Sequence, residues 1–178
     1  ANTLQSAAVP AMAAAYNKLG AVFDRDQYET IRATYGDPLL RDGETDRDGR
    51  VSMIFTQRLN GTGAAAYVTS CDQAVRGANA PASNEGEYFY GTVPTLATSN
   101  VNSTAAPDGW YAFMVRTVVH EVKHISSSVQ RIVNRATSGE QSWLEEGTAR
   151  HAEEVWARDS LLRVPWRGNT GWGDATSA

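Results

Sequence analysis

Residues 120–124 read His-Glu-Val-Lys-His, an HExxH motif inside a segment, Trp110–Arg135, whose composition predicts one long helix. On a helix, residues four apart lie one turn above each other on the same face. His120 and His124 can therefore offer two imidazole nitrogens to one metal ion, and Glu121 borders that ion. Zinc accepts two neutral histidines and a carboxylate and keeps a fourth position for water, whose proton a neighbouring glutamate can take. The motif thus predicts a zinc site with Glu121 as general base.

The surroundings of the motif favour metal binding over the alternative, two solvated histidines on a helix surface. The chain has three histidines, and two of them lie in the motif. The preceding apolar residues predict that this part of the helix is buried, where an unpartnered histidine pair would be costly. A second helix face carries an apolar stripe that predicts packing on a sheet. The stripe comprises Val118, Val122, Ile125, Val129 and Ile132.

Composition and charge exclude several classes of protein. The 178 residues are 42% hydrophobic and 20% charged, which is ordinary for a globular domain. We therefore expect one domain spanning residues 1–178. There is no basic cluster that would indicate nucleic-acid binding, and no apolar run approaches the ~20 residues needed for membrane insertion. The start lacks a basic leader, so we expect no signal peptide in this sequence.

Two helices are predicted before the first strand. Ala7–Leu19 has helical composition, and Gly20 is a plausible stop. Asp24 then resembles an N-cap with Gln27 as its capping-box partner. The second helix is expected to end at the Gly-Asp-Pro sequence of residues 36–38.

Three strands are predicted between residues 51 and 93. They are Val51–Phe55, Ala64–Ser70 and the aromatic segment Tyr88–Val93. A proline follows the third strand, which suits a strand end or an edge position. We therefore predict that Tyr88–Val93 is the edge that pairs with substrate, with Tyr88 and Tyr90 as candidate substrate contacts.

The acidic turn Asp42–Arg50 has carboxylates at alternate positions before Gly49, as in part of a calcium loop. Phe55 stands where the closing glutamate of such a loop would fall. A solvated turn is the better interpretation, so calcium binding is predicted to be unlikely.

The third zinc ligand must come from outside the motif. A third histidine is excluded because positions 127 and 130, where a metzincin carries glycine and histidine, are Ser127 and Gln130. Glu145 and Glu146 on a following helix are the two candidates. Glu145 is expected to serve a capping box that begins at Ser142, so Glu146 is the predicted ligand. Seven residues further along this helix, a glutamate at position 153 lies on the same face.

That residue, Glu153, could support a zinc-bound histidine from behind, although a solvated helix face is an equal alternative.

The HExxH motif followed by Trp-Leu-Glu-Glu-Gly-Thr-Ala at residues 143–149 resembles the HExxH and WLxEGxA arrangement of gluzincin metallopeptidases. Residues 46–55 and 83–90 are similar to the hyicolysin family of bacterial neutral metallopeptidases. The similarity spans about residues 20–160.

The resemblance implies one zinc ion, Glu146 as its third ligand, endopeptidase activity on protein or peptide substrates, and bacterial secretion. Two positions depart from thermolysin-like relatives. The segment between His124 and Glu146 has 21 residues, which is longer, and Arg150 replaces an aspartate four residues after the zinc glutamate.

We therefore expect an α+β, zincin-like domain in which a small twisted mixed sheet packs on the active-site helix. Helices and sheet occupy about residues 1–107, the helical zinc-binding part about 108–165, and an irregular tail residues 166–178. The alternative function is a catalytically inactive zinc-binding or peptidase-like interaction module.

Overall fold

The computed structural model describes residues 3–94, 107–133 and 138–158, and these residues form an α+β arrangement as expected. The α-helices are α1 (Thr3–Val22), α2 (Tyr28–Tyr35), α3 (Pro107–Ser128) and α4 (Ser142–Trp156). The predicted irregular tail, residues 166–178, lies outside the described residues. Within the described ranges, no helix has both the length and the apolar character needed to cross a membrane.

The sheet is mixed, as predicted, but its aromatic strand is central and not at an edge. Its strands are β1 (Ser52–Phe55), β2 (Ala66–Tyr67) and β3 (Tyr88–Gly91), in the order β1-β3-β2. β1 runs parallel to β3, whereas β2 is antiparallel to it. The prediction that Tyr88–Val93 forms an exposed edge is therefore wrong, because β3 has a partner on each side. Among the described strands, β1 and the short strand β2 form the two edges of the sheet.

The first two helices are continuous, so the predicted stop at Gly20 and cap at Asp24 are wrong. A π-helical turn, Phe23–Gln27, joins α1 to α2, and no side chain caps it. Gln27 is fully buried, and its Nε2 donates a hydrogen bond of 2.7 Å to the carbonyl of Val115 in α3. Because this side chain is committed to α3, it cannot close a capping box. The predicted helix end is confirmed: α2 ends at Gly36, whose φ of +103° suits glycine.

The apolar stripe runs from α3 into a following π-helical turn, Val129–Val133, and forms the centre of the core, as its periodicity predicts. Its described members are fully buried: Val118, Val122, Ile125 and Val129. Phe89 of β3 belongs to the same cluster and is also fully buried. Trp110, at the start of the helix, donates a hydrogen bond of 2.9 Å from its indole nitrogen to the carbonyl of Thr92. The sheet thus packs on α3 and leaves another face of the helix for the histidines.

Candidate metal centre

The two histidines of the motif and Glu146 converge between α3 and α4. The imidazole centroids of His120 and His124 lie 4.9 Å apart on consecutive turns of α3. Glu146 approaches both rings: its Oε2 is 3.2 Å from His120 Nε2, and its Oε1 is 3.6 Å from His124 Nε2. One donor atom from each residue lies within 4.8 Å of the other two, so the group can hold one metal ion. The structure thus brings together the three residues predicted as ligands.

A carboxylate behind each histidine fixes the orientation of its ring. His120 Nδ1 is 2.8 Å from Glu153 Oε1, and His124 Nδ1 is 2.7 Å from Glu145 Oε1. An Nδ1–H that donates to a carboxylate leaves the Nε2 lone pair free for a metal. Both Nε2 atoms face Glu146. Two oriented imidazole nitrogens and one carboxylate form the donor set that zinc takes in hydrolytic sites, so these residues fit zinc.

Glu145 contacts α3 and does not cap its own helix, so the predicted capping box is wrong. The N-cap of α4 is Gln141, and no side chain bonds there. The Glu145 carboxylate instead lies 3.1 Å from the ammonium of Lys123, a residue that is 2% exposed. Burial alone would raise the pKa of Glu145, but the hydrogen bonds from His124 and Lys123 lower it to about 2. Glu145 is therefore the anionic partner of two basic residues of the motif.

Sequence reasoning missed this role of Glu145 and the burial of Lys123. One signal was present, because Lys123 stands between the two histidines in a helix whose preceding turn is apolar. A buried ammonium requires an anionic partner. Helix α4 was expected to supply the third zinc ligand, and its adjacent glutamates, Glu145 and Glu146, were available as anionic partners for Lys123.

Glu121 lines a cleft of about 390 Å³ together with His120, Arg150 and Glu153 of the centre. The opposite wall comes from the chain that leads into β2, with Gly63, Ala65 and Ala66. A second cleft, of about 200 Å³, lies beside His124 and Glu145 and is bounded by Val68 and Ser70. The candidate metal centre therefore has a cleft on each side, and both clefts border the segment around β2.

The electrostatic environment of the site raises the pKa of two of its groups. Burial raises the pKa of Glu121, and the charges of His124 and His120 only partly offset that effect. For His120, burial alone would lower the pKa, but the hydrogen bond that it donates to Glu153 and the charge of Glu121 outweigh this effect, and the net shift of the pKa is upward. A glutamate with an elevated pKa in a cleft is suited to accept a proton and return it.

The structure does not bring Tyr88 and Tyr90 to this centre. The Tyr90 hydroxyl donates to Asp72 Oδ2 at 2.7 Å, and its ring stacks on Tyr67 with centroids 4.8 Å apart. Neither tyrosine is among the described residues that line the two clefts. Residues alternate across a strand, and Phe89 between them is directed into the core. Nothing in the geometry therefore supports the predicted substrate contacts of these tyrosines.

Comparisons of the chain with models of protein families, with curated proteins and with solved structures found no match.

Proposed function

We propose that this protein is a zinc-dependent endopeptidase. The observation that supports this most strongly is the convergence of His120, His124 and Glu146 next to a cleft lined by Glu121. A site that binds zinc only for structure needs no general base and is normally closed by four protein ligands. Three protein ligands, a carboxylate beside them and adjoining clefts are the features of a hydrolytic centre.

Each residue of the centre has a distinct part in the proposed reaction. His120, His124 and Glu146 would hold the zinc, which when bound would supply a Lewis acid that lowers the pKa of water and polarises the peptide carbonyl. Glu121 accepts the proton of the attacking water and later delivers it to the leaving amine, which its raised pKa favours. Glu153 and Glu145 hold the two imidazoles through their Nδ1 atoms, so that both Nε2 atoms stay directed at the metal position.

The substrate is proposed to bind as an extended strand along the outer side of β2. Among the described strands β2 is one of the two edges of the sheet, and an edge strand presents unpaired backbone groups to an incoming peptide. Ala65 and Ala66 line the cleft that contains Glu121, while Val68 lines the cleft beside His124. A peptide that follows this segment would pass over the candidate metal centre. This proposal replaces the earlier expectation of an edge at β3.

The resemblance to gluzincins supports the same function, and the structure suggests how one departure is accommodated. Thermolysin-like enzymes carry an aspartate where this chain has Arg150. Here the carboxylate behind His120 belongs to Glu153, one turn further along α4, and Arg150 pairs with that carboxylate at 2.8 Å. The remaining implications of the resemblance, bacterial secretion and a protein or peptide substrate, belong to the same proposal.

The decisive experiment compares Glu121→Gln with the wild-type protein in zinc content and casein digestion. We expect the variant to retain zinc and to lose activity by a factor of about 100 or more, because the general base is removed. Glu29→Gln, whose side chain is 57% exposed on α2, is the matched control and should keep full activity. Unchanged digestion by Glu121→Gln would refute the assigned base. Zinc binding without any digestion by the wild-type protein would favour the inactive module.

A further inference from the structure

Glu87, which directly precedes β3, is a buried carboxylate with an unsatisfied oxygen. Its side chain is fully buried. Thr45 Oγ1 donates to Oε1 at 3.5 Å, whereas Oε2 has no hydrogen-bond partner among the described residues. Buried carboxylate oxygens without partners are costly, so such an atom requires an explanation, and a bound ion is one of those known in folded proteins.

Two aspartates of the acidic turn approach this carboxylate. One oxygen each of Asp42, Asp46 and Glu87 lies within 4.8 Å of the others. The turn is folded back on itself, because Asp42 Oδ1 accepts the Gly49 amide at 2.8 Å. Asp46 is packed against the start of β3, where a Cβ at Gly86 would lie 2.4 Å from Asp46 Oδ2. Three carboxylates are thus held close together, and one of them is the buried Glu87 with its unsatisfied oxygen.

Two arginines near this group have other partners. Arg41 pairs with Glu44 at 2.7 Å, and Arg47 Nε donates to the carbonyl of Gly43 at 2.9 Å. Neither of these contacts brings a positive charge to the three carboxylates.

We propose that Asp42, Asp46 and Glu87 bind one calcium ion. The donors are all oxygens, which suit a hard cation and not zinc. Calcium binds oxygens at about 2.3–2.6 Å, so two ligand oxygens on opposite sides of one ion are about 5 Å apart, and the observed spacing fits. Magnesium is usually held by only one or two carboxylates, so a set of three favours calcium.

The earlier prediction that calcium is unlikely depended on the missing carboxylate at the end of a continuous loop. Phe55 occupies that position in the sequence. In the structure the third carboxylate comes from a different segment, because the Ser52 amide donates to the Glu87 carbonyl at 2.8 Å and aligns the turn with β3. The site is therefore discontinuous in sequence.

The test is calcium titration of the full chain after all metal has been removed and one equivalent of zinc restored. We expect one calcium per chain by calorimetry, a Tm that rises with calcium concentration, and weaker binding of magnesium. Glu87→Gln and Asp46→Asn should each reduce calcium affinity by at least about tenfold. Glu29→Gln, which removes an exposed carboxylate of α2 away from this turn, is the matched control and should bind like the wild type.

Three results would overturn the proposal. The first is that the wild type shows no heat of binding and no change in Tm at about 10 mM calcium, well above the Kd of weak extracellular calcium sites. The second is that Glu87→Gln and Asp46→Asn both keep the calcium affinity of the wild type. The third is that magnesium binds as tightly as calcium. His124→Ala separates the two sites, since it should retain the calcium response. Loss of that response in His124→Ala would assign the calcium effect to the zinc motif and also refute the proposal.

Discussion

Replacing Glu145 or Glu146 by alanine should produce opposite patterns of metal affinity and stability, although the two residues are adjacent. Glu146 faces both Nε2 atoms and has a side chain that is 64% exposed. Glu145 instead contacts His124 Nδ1 and the ammonium of Lys123, which is 2% exposed. The first residue is placed to bind metal, whereas the second also compensates a buried charge.

The structure sets the size of each effect. Glu146→Ala should change the free energy of unfolding of the metal-free protein by less than about 1 kcal/mol, because its ion pairs are exposed. Its zinc affinity should fall by more than about 100-fold, beyond the range for residues that only orient a ligand. Glu145→Ala leaves a buried ammonium without its carboxylate, which costs about 3 kcal/mol. That corresponds to a Tm about 6–12 °C lower for a chain of this size.

Glu145→Ala should also weaken zinc binding, but only about 10- to 100-fold, because it removes the acceptor behind His124. The assay combines zinc titration against a chromophoric chelator with thermal unfolding in EDTA. Glu145→Gln is the matched control, since it keeps an acceptor and should show smaller losses in both measurements. Equal zinc affinities for Glu145→Ala and Glu146→Ala would mean that the third ligand is wrongly assigned. An unchanged Tm for Glu145→Ala would refute the pairing with Lys123.

Two further predictions concern other carboxylates. Glu153→Gln should weaken zinc binding about tenfold, because a neutral amide holds the His120 ring less firmly. Glu154→Gln on the same helix is the control. Equal zinc affinities of the two variants would contradict the role of Glu153 in orienting His120. Burial and the charges of Asp46 and Asp42 raise the pKa of Glu87 from 4.5 to about 7. Between these pH values the folded state binds more protons than the unfolded state, so stability falls as pH rises. In metal-free protein, Glu87 should lower the free energy of unfolding by about 3 kcal/mol over this pH range. The measurement is chemical denaturation of the wild type and of Glu87→Gln at a series of pH values. Parallel stability profiles of the two proteins would refute the prediction.

The long helix and its metal-binding residues were predictable because their signals are local. The spacing of His120 and His124 and the apolar stripe from Val118 to Val129 both follow from helical periodicity. The stripe is buried in the structure, and the two histidines share a face with Glu146 beyond them. The helix face on which a residue lies follows from helical periodicity alone, so it can be predicted from the sequence without knowing the rest of the fold.

Features that depend on contacts between distant segments were not predictable. Gln27 matched a capping box, but its side chain reaches the carbonyl of Val115 across 88 positions in the chain. Glu145 matched another capping box, but its partners lie on α3. The order of the strands depends on which segments pair, and periodicity alone does not determine this. The third carboxylate of the acidic turn was missed for the same reason.

The pairing of Lys123 with Glu145 has a consequence for the charge state of the whole centre. Four acidic and two basic side chains surround the histidine pair: Glu121, Glu145, Glu146, Glu153, Lys123 and Arg150. If both imidazoles are neutral, these side chains have a net charge of −2, from four negative and two positive groups. A divalent cation therefore brings it to electroneutrality, whereas a monovalent ion would leave a residual charge. The pairing of Lys123 with Glu145 already joins α3 to α4, and a cation bound by residues of both helices would strengthen that connection, so the ion that serves chemistry would also stabilise the packing of α3 on α4.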